Sequence, residues 1–437
     1  MKTKNLMLTA AISLSLATVM SSCSKKEGCT DLLAENYDRD AETDDGSCEY
    51  APEPENPAVN FPSITVSGNI TTNTVWSKDK IVTLSGRIVV EAPAELTIEA
   101  GTVIKGLSGT GANASVLIVG VGAKIHATGT ASEPIIFTSE NDQIVPGQIV
   151  SPNLSIINKG LWGGIIILGE APISPSTGTT DEIEGIPVGT IGTTFGGTNP
   201  TDNSGEFQYC SIRHGGIILN GGNEINGLTL GGVGSNTSID HVEIYAGLDD
   251  GIECFGGSVN ISSAVVVKID DDSYDVDQAY SGTISNFMAI ISPTVDGDAF
   301  EIDGPEGSSN NGGLFTFDKG LIIGNSNAAN NDYVVFKSQA QGTLQNIHFT
   351  GFNSAAKVKV NGSVAYGNYS ATTPSLNIVN NTFNVASVTG LFDSDQANPD
   401  ATIFEGANTI AAGITNGFDI TQFSGWSLAS QTGQYKN

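Results

Sequence analysis

The sequence predicts an all-β chain wound as a single-stranded right-handed parallel β-helix, with little helix. Three observations carry that prediction. Gly is 53 of 437 residues and only 15% of the chain is charged; Thr, Ser, Asn, Ile and Val dominate, which suits short strands and tight turns. A strand pattern recurs about every 22 residues. An acidic hexapeptide recurs between those strands at nearly the same period.

The strand pattern runs through "SIDHVEIY" (238–245), "SVNISSAVVV" (258–267), "GTISNFMAII" (282–291), "FTFDKGLII" (315–323) and "GTLQNIHFTG" (342–351). Its anchors Ile239, Ile261, Ile284, Phe317 and Leu344 are spaced by 22, 23, 33 and 27 residues. The hexapeptides "DGIECF" (250–255), "DSYDVD" (272–277) and "DAFEID" (298–303) align without gaps, and "DYVVFK" (332–337) continues them more weakly. Each repeat holds two or three short strands, one coil of a solenoid. The spacing of 33 marks an inserted loop. A propeller blade needs about 40 residues, and a sandwich would not keep this register.

The N-terminal coils follow the same rule. "IVTLSGRIVVEAPAELTIEAGTVIKG" and "ASVLIVGVGAKIHATGTASEPIIFTS" alternate apolar and polar residues around Gly, and "GLWGGIIILGEA" (160–171) gives another buried strand. Residues 174–205, rich in Gly, Thr and Pro, read as a projecting loop. A stack this long needs capped ends, and residues 63–85 and those after about 385 are the candidates.

The first 22 residues read as an export signal: Lys2 and Lys4, an apolar run from Leu6 to Met20, then Ser21-Ser22-Cys23. The run is too short to span a membrane in the mature protein. Small residues before a Cys resemble a bacterial lipoprotein signal, which implies that Cys23 is lipidated and that the protein is anchored to the outer membrane without crossing it. "SKKEG" follows Cys23 rather than an acidic run, so the periplasmic and surface leaflets both stand open. Cys29 and Cys48 bracket an acidic segment and read as a disulfide closing a small loop in residues 23–50. That segment, "GCTDLLAENYDRDAETDDGSCEY", resembles a short module of exported Bacteroidetes proteins. Residues 51–62, "APEPENPAVNFP", are a Pro-rich linker to the helix domain, 63–437. Cys210 and Cys254 read as buried free thiols.

Beyond the signal the chain has 16 basic and 47 acidic residues, a net charge of −31. That excludes nucleic acid and anionic lipid surfaces as partners and favours cations. Glycans or other envelope proteins are the partners expected, for a monomer.

"GLWGGIIILGEAPIS", "NSGEFQYCSIRHGG", "GNEINGLTLGGVG", "DDGIECFGGSVN", "DQAYSGTI" and "EIDGPEG" resemble a family of exported β-helix proteins from Bacteroidetes and related bacteria. The resemblance covers roughly 63–330 and more loosely the rest. It implies a pectate-lyase-like fold and no particular reaction.

Strand alternation separates the acidic coils into two faces. Ile252 and Cys254, Tyr274 and Val276, and Phe300 and Ile302 turn inward. Glu253, Asp275, Asp277, Glu301 and Asp303 turn outward as a ladder with a rise of about 4.8 Å per coil. Asp249, Asp250, Asp271, Asp272 and Asp298 stack at the preceding corner. Residues 238–306 hold fifteen Asp or Glu against one Lys. Solvation, protonation or a hard cation would offset that charge, and Ca²⁺ suits clustered Asp with flexible geometry. All ten carboxylates are candidate metal ligands.

The other reading is a polysaccharide lyase or hydrolase, with Asp250, Asp272, Asp275 and Asp298 as candidate acids or bases. Paired carboxylates 6.5–9.5 Å apart would serve inversion. The hydrolases of this fold use Gly-His-Gly and Arg-Ile-Lys elements. Here His214 sits in "IRHGG" and no Arg-Ile-Lys occurs. A lyase needs a basic residue, and Arg213 and His214 are the basic pair nearest the acidic coils. His126, His241 and His348 stand singly, with no zinc spacing. No Gly-x-Ser-x-Gly or phosphate loop is present. Trp76, Trp162 and Trp426 are candidates to stack on sugars, with a core role favoured for Trp162.

Overall fold

The computed structural model describes residues 26–28, 41, 43–47 and 61–435, apart from 110–112, 185, 187–189, 218–224, 294–296, 308–309 and 329–330. The chain divides into two units, Met1–Asn60 and Phe61–Asn437. In the first, Glu27–Gly28 pairs in parallel with Thr43–Asp44. The export signal, Cys23, Cys29, Cys48 and residues 51–60 lie outside the described residues. Among the described residues no helix is long and apolar enough to cross a membrane.

The second unit is the coiled ribbon. A 17-stranded sheet, bent into two limbs, and a 10-stranded parallel sheet enclose the core. Five long strands pass through both limbs: Gly205–Arg213, Ser238–Tyr245, Thr283–Ile290, Phe315–Ile323 and Gly342–Thr350. The bend follows a line of single left-handed residues. Tyr209, His241, Ser263, Asn286, Lys319, Asn346 and Asn380 have φ between 48° and 62°, a region that L-residues visit singly and Asn tolerates best. The ten-stranded sheet runs from Arg87–Val90 to Phe392–Asp393.

The repeat anchors are in register. Ile239, Ile261, Ile284, Phe317 and Leu344 pair in sequence across neighbouring coils. So do Ile252, Tyr274 and Phe300, and Glu253, Asp275, Glu301 and Val335. The inward residues form one continuous apolar stack from Ile70 to Phe404. Tyr274 lies 5.8 Å from Phe300 and 5.3 Å from Phe287, ring to ring. Cys210 and Cys254 are buried and unbridged.

Three segments depart from expectation. Residues 63–85 are not a separate cap: Ser63–Val66, Thr74–Trp76 and Ile81–Leu84 are strands of the first coils. Segment 174–205 does not project. Its hairpin, Asp181–Glu182 with Thr194–Phe195, lies flat on the ten-stranded sheet. There Ile173, Ile183 and Phe195 cover Ile118, Ile166 and Phe255, apolar side chains on the outer face. Beyond 385, the helix Thr402–Ala407 places Phe404 on the end of the core. The chain then turns back. Asn416 and Asp419 bind Asn346 and Asn286, and Phe423, Trp426 and Leu428 cover Val265, Val267, Met288 and Ile290 on the outside of the second limb. That limb is apolar on both faces, so it needs an outer cover.

Candidate functional site

The acidic coils form two structures. The first is a corner ladder. The Asp272 amide donates to Asp250 Oδ1 at 2.9 Å and the Asp298 amide to Asp272 Oδ1 at 2.5 Å. Asp298 accepts the Asp332 amide in the same way, and Asp332 accepts the Lys357 amide at 2.6 Å. A buried amide without an acceptor is costly, so each corner carboxylate ties its coil to the next. Asp250 and Asp272 are only 8% and 5% exposed.

The second structure is a cavity of about 170 Å³ lined by Asp249, Asp250, Glu253, Asp275, Glu184 and Asn226, with Thr229, Ile166, Ile225 and Phe255. One oxygen from each of Asp250, Glu253 and Asp275 lies within 4.8 Å of the others. Asp249, Asp250 and Asp271 converge equally closely. Glu253 accepts a hydrogen bond from Asn226. Among the described residues no Lys or Arg is ion-paired with Asp250, Glu253 or Asp275. Burial pushes all three carboxyls well above their ordinary range, and neighbouring carboxylates push further. For Glu253 those neighbours are Asp277 and Glu184, then Asp249. Burial likewise raises Asp272.

Farther along the face, Asp277, Asp303 and Glu306 line a cavity of about 450 Å³ with Ser176, Ser338 and Gln339. Burial, with Asp303 and Glu306 nearby, pushes Asp277 up to about 7. Burial also raises Asp303, and takes Asp298 to about 8. Glu301 is ion-paired with Lys337, and Asp332 with Lys359.

Arg213 and His214 line neither cavity. Both are fully buried. Arg213 donates to Ser211 at 2.7 Å and to the Ile149 carbonyl at 2.6 Å, and its guanidinium faces Glu243 at 3.9 Å. Glu243 in turn accepts the amides of Leu428 and Ala429. This buried network holds the returning C-terminal segment. His214 bonds the Asn158 carbonyl at 2.6 Å, and burial lowers it to about 4, so it is neutral near pH 7. The three tryptophans are buried, each at most 2% exposed.

Three lining residues escape the repeat reading. Asn226 and Thr229 lie in "NGLTLG" (226–231), which aligns with "DGIECF" one coil earlier: Leu228 pairs with Ile252 and Thr229 with Glu253. Extending the alignment upstream would have found them. Glu184 comes from the folded-over insertion, and no local pattern reports it.

The donor set is all oxygen, and carboxylate-rich oxygen sets suit hard cations such as Ca²⁺, Mg²⁺ or Mn²⁺. Such an ion would be held by Asp250, Glu253 and Asp275. Without one, solvation or bound protons would have to offset the charge.

A coiled ribbon with polar sites on its outer faces defines a class, and the chain falls in it. The family model described as a pectate-lyase like beta helix domain matches residues 68–427, and the chain belongs to that family. A solved structure of pectin methylesterase from Aspergillus niger is similar over 77% of this chain and 86% of that one, at 13% identity and a TM-score of 0.31. No curated protein matches the chain.

Proposed function

We propose that this chain is an exported lipoprotein, anchored to the outer membrane through Cys23, whose β-helix binds rather than cleaves. It holds a hard divalent cation, Ca²⁺ first, in the Asp250–Glu253–Asp275 cavity and presents an acidic flank to glycan or envelope protein. One observation carries the reading: three carboxylates converge within 4.8 Å. Two unit charges at that distance repel by about 3 kcal/mol at an effective dielectric of 20. A divalent cation turns the repulsion into attraction. The cleaving alternative is weaker because Arg213 and His214, the basic pair it would draw on, are sealed in the core.

The test is a thermal melt of the purified protein in Ca²⁺ and in EDTA, run beside a glycan panel scored for binding and for products. Chelation is expected to lower the apparent Tm by roughly 5 °C or more, since a ligand at about 1,000 times its Kd stabilises by about 4 kcal/mol. An unchanged Tm would sink the cation reading. Product formation that is lost in Asp275→Asn would overturn the non-enzymatic one.

A further inference from the structure

We infer that Glu184, carried by the folded-over insertion, is a further ligand of the ion in this cavity, so that the cation clamps the insertion to the ten-stranded sheet. The inference rests on the cation-binding reading above. Asp250, Glu253 and Asp275 supply three carboxylates, whereas Ca²⁺ takes about six to eight oxygens. Glu184 lines the same cavity, and it is the one lining carboxylate that comes from outside the repeat.

Two features of the insertion single this residue out. Its position is fixed. Ile183 and Ile186, on either side of it, are 2% and 6% exposed and share one apolar cluster with Ile118 and Ile166 of the sheet. Their burial holds the Glu184 backbone beside the cavity. Its carboxylate is also uncommitted. Asp181 accepts Gln278 and the Glu182 amide, Glu182 accepts the hydroxyls of Thr193 and Thr194, and Asp202 accepts Ser204. Among the described residues Glu184 has no such donor. Every other acid of segment 174–205 is thus used within the fold. Burial, then Asp277 and Glu184, raise the Glu253 carboxyl, so the Glu184 charge is felt in the triad. Glu184 is exposed, and turning its side chain inward crosses rotamer barriers alone. The coupling is reciprocal: what the docked insertion adds to cation affinity, the cation adds to docking.

The experiment takes the full-length protein, stripped with EDTA and titrated with CaCl₂. Calorimetry reads affinity, and hydrogen exchange reads the hairpin of Asp181–Glu182 with Thr194–Phe195. Ca²⁺ should slow hairpin exchange in the unaltered protein. Glu184→Gln, an exposed change that spares the core, should weaken Ca²⁺ roughly tenfold and abolish that slowing. Glu184→Asp keeps the charge and shortens the reach, so a ligand should lose nearly as much affinity there. An unchanged Kd in Glu184→Gln would overturn the inference and leave the three-carboxylate site standing. Full affinity in Glu184→Asp would overturn it too, because the charge would then act through space. Hairpin exchange that Ca²⁺ leaves unchanged in the unaltered protein would overturn the clamp. No Ca²⁺ binding to the unaltered protein would overturn both the inference and the cation reading.

Discussion

Two stretches of one acidic face solve the same problem differently. In the later coils the chain supplies its own cations: Lys337 pairs with Glu301 and Lys359 with Asp332. In the earlier coils Asp250, Glu253 and Asp275 converge on a cavity with no such partner among the described residues. Both stretches keep the corner ladder, in which Asp250, Asp272, Asp298 and Asp332 each accept an amide from the next coil. The ladder therefore accounts for a carboxylate at each corner and does not account for the extra charge. The difference shows that this charge is placed. Where a lysine is present the rung is self-contained; on the proposed reading, a dissolved cation takes its place where it is absent.

Giving the early rung its own lysine breaks the comparison most directly. Lys337 lies two residues beyond Val335, the strand partner of Glu301. The same step from Asp275, the strand partner of Glu253, reaches Asp277. Asp277→Lys should therefore stand to Glu253 as Lys337 stands to Glu301. Asp277 is also the first of the neighbouring carboxylates that raise Glu253. The change removes a repulsion and adds an attraction, about 2 kcal/mol together. Apparent Tm in EDTA should rise by roughly 4 °C and the gain from Ca²⁺ should shrink. A lower Tm in EDTA with an undiminished Ca²⁺ response would contradict the lysine-for-cation equivalence.

The converse change is smaller. Lys337→Met leaves Glu301 without its partner. The pair is part-exposed, 38% and 26% at the two side chains, so the loss should be about 1 kcal/mol, or roughly 2 °C. Added Ca²⁺ should then recover part of it, by a route the unaltered rung does not use. Fluorimetric melts across a Ca²⁺ series would read this; an equal Ca²⁺ response in both proteins would count against it.

The period made most of this fold legible. Ile239, Ile261, Ile284, Phe317 and Leu344 recur at the coil length because each must stack on the last. The inward turn of Tyr274 and Val276 and the outward turn of Asp275 follow from strand alternation. The corner role of Asp250 was half-legible: the stack was visible, but an amide bond between coils leaves no mark beyond the Asp itself. Glu184 and the returning segment around Trp426 were not legible, because they meet the helix from far away in sequence. Even so, the run Ala264–Val267, apolar at every position, carried a signal that its outer face needed a cover. Burial of the site followed from that missed geometry. A bare ladder would have been solvated, whereas the insertion and Ile225 close it.

The smallest effect concerns a third way to neutralise stacked carboxylates, with a cation present only below a certain pH. His126 lies between Glu95, 3.1 Å from its Nε2, and Glu206, at its Nδ1. These three residues come from three successive coils of the first limb, with Lys124 the nearest lysine on the same strand. Burial disfavours the imidazolium, but the hydrogen bonds and charges of Glu206 and Glu95 outweigh it, and the pKa is raised above the ordinary 6.5. A raised folded-state pKa means that the stabilisation is complete below about pH 6.5 and is lost as pH climbs through the higher folded value. The ring is part-exposed, so the effect is small, about 1–2 °C. In EDTA, His126→Gln should melt that much below the unaltered protein at pH 6, and the two should converge by pH 9. A gap of constant size across that range would mean that His126 contributes packing alone.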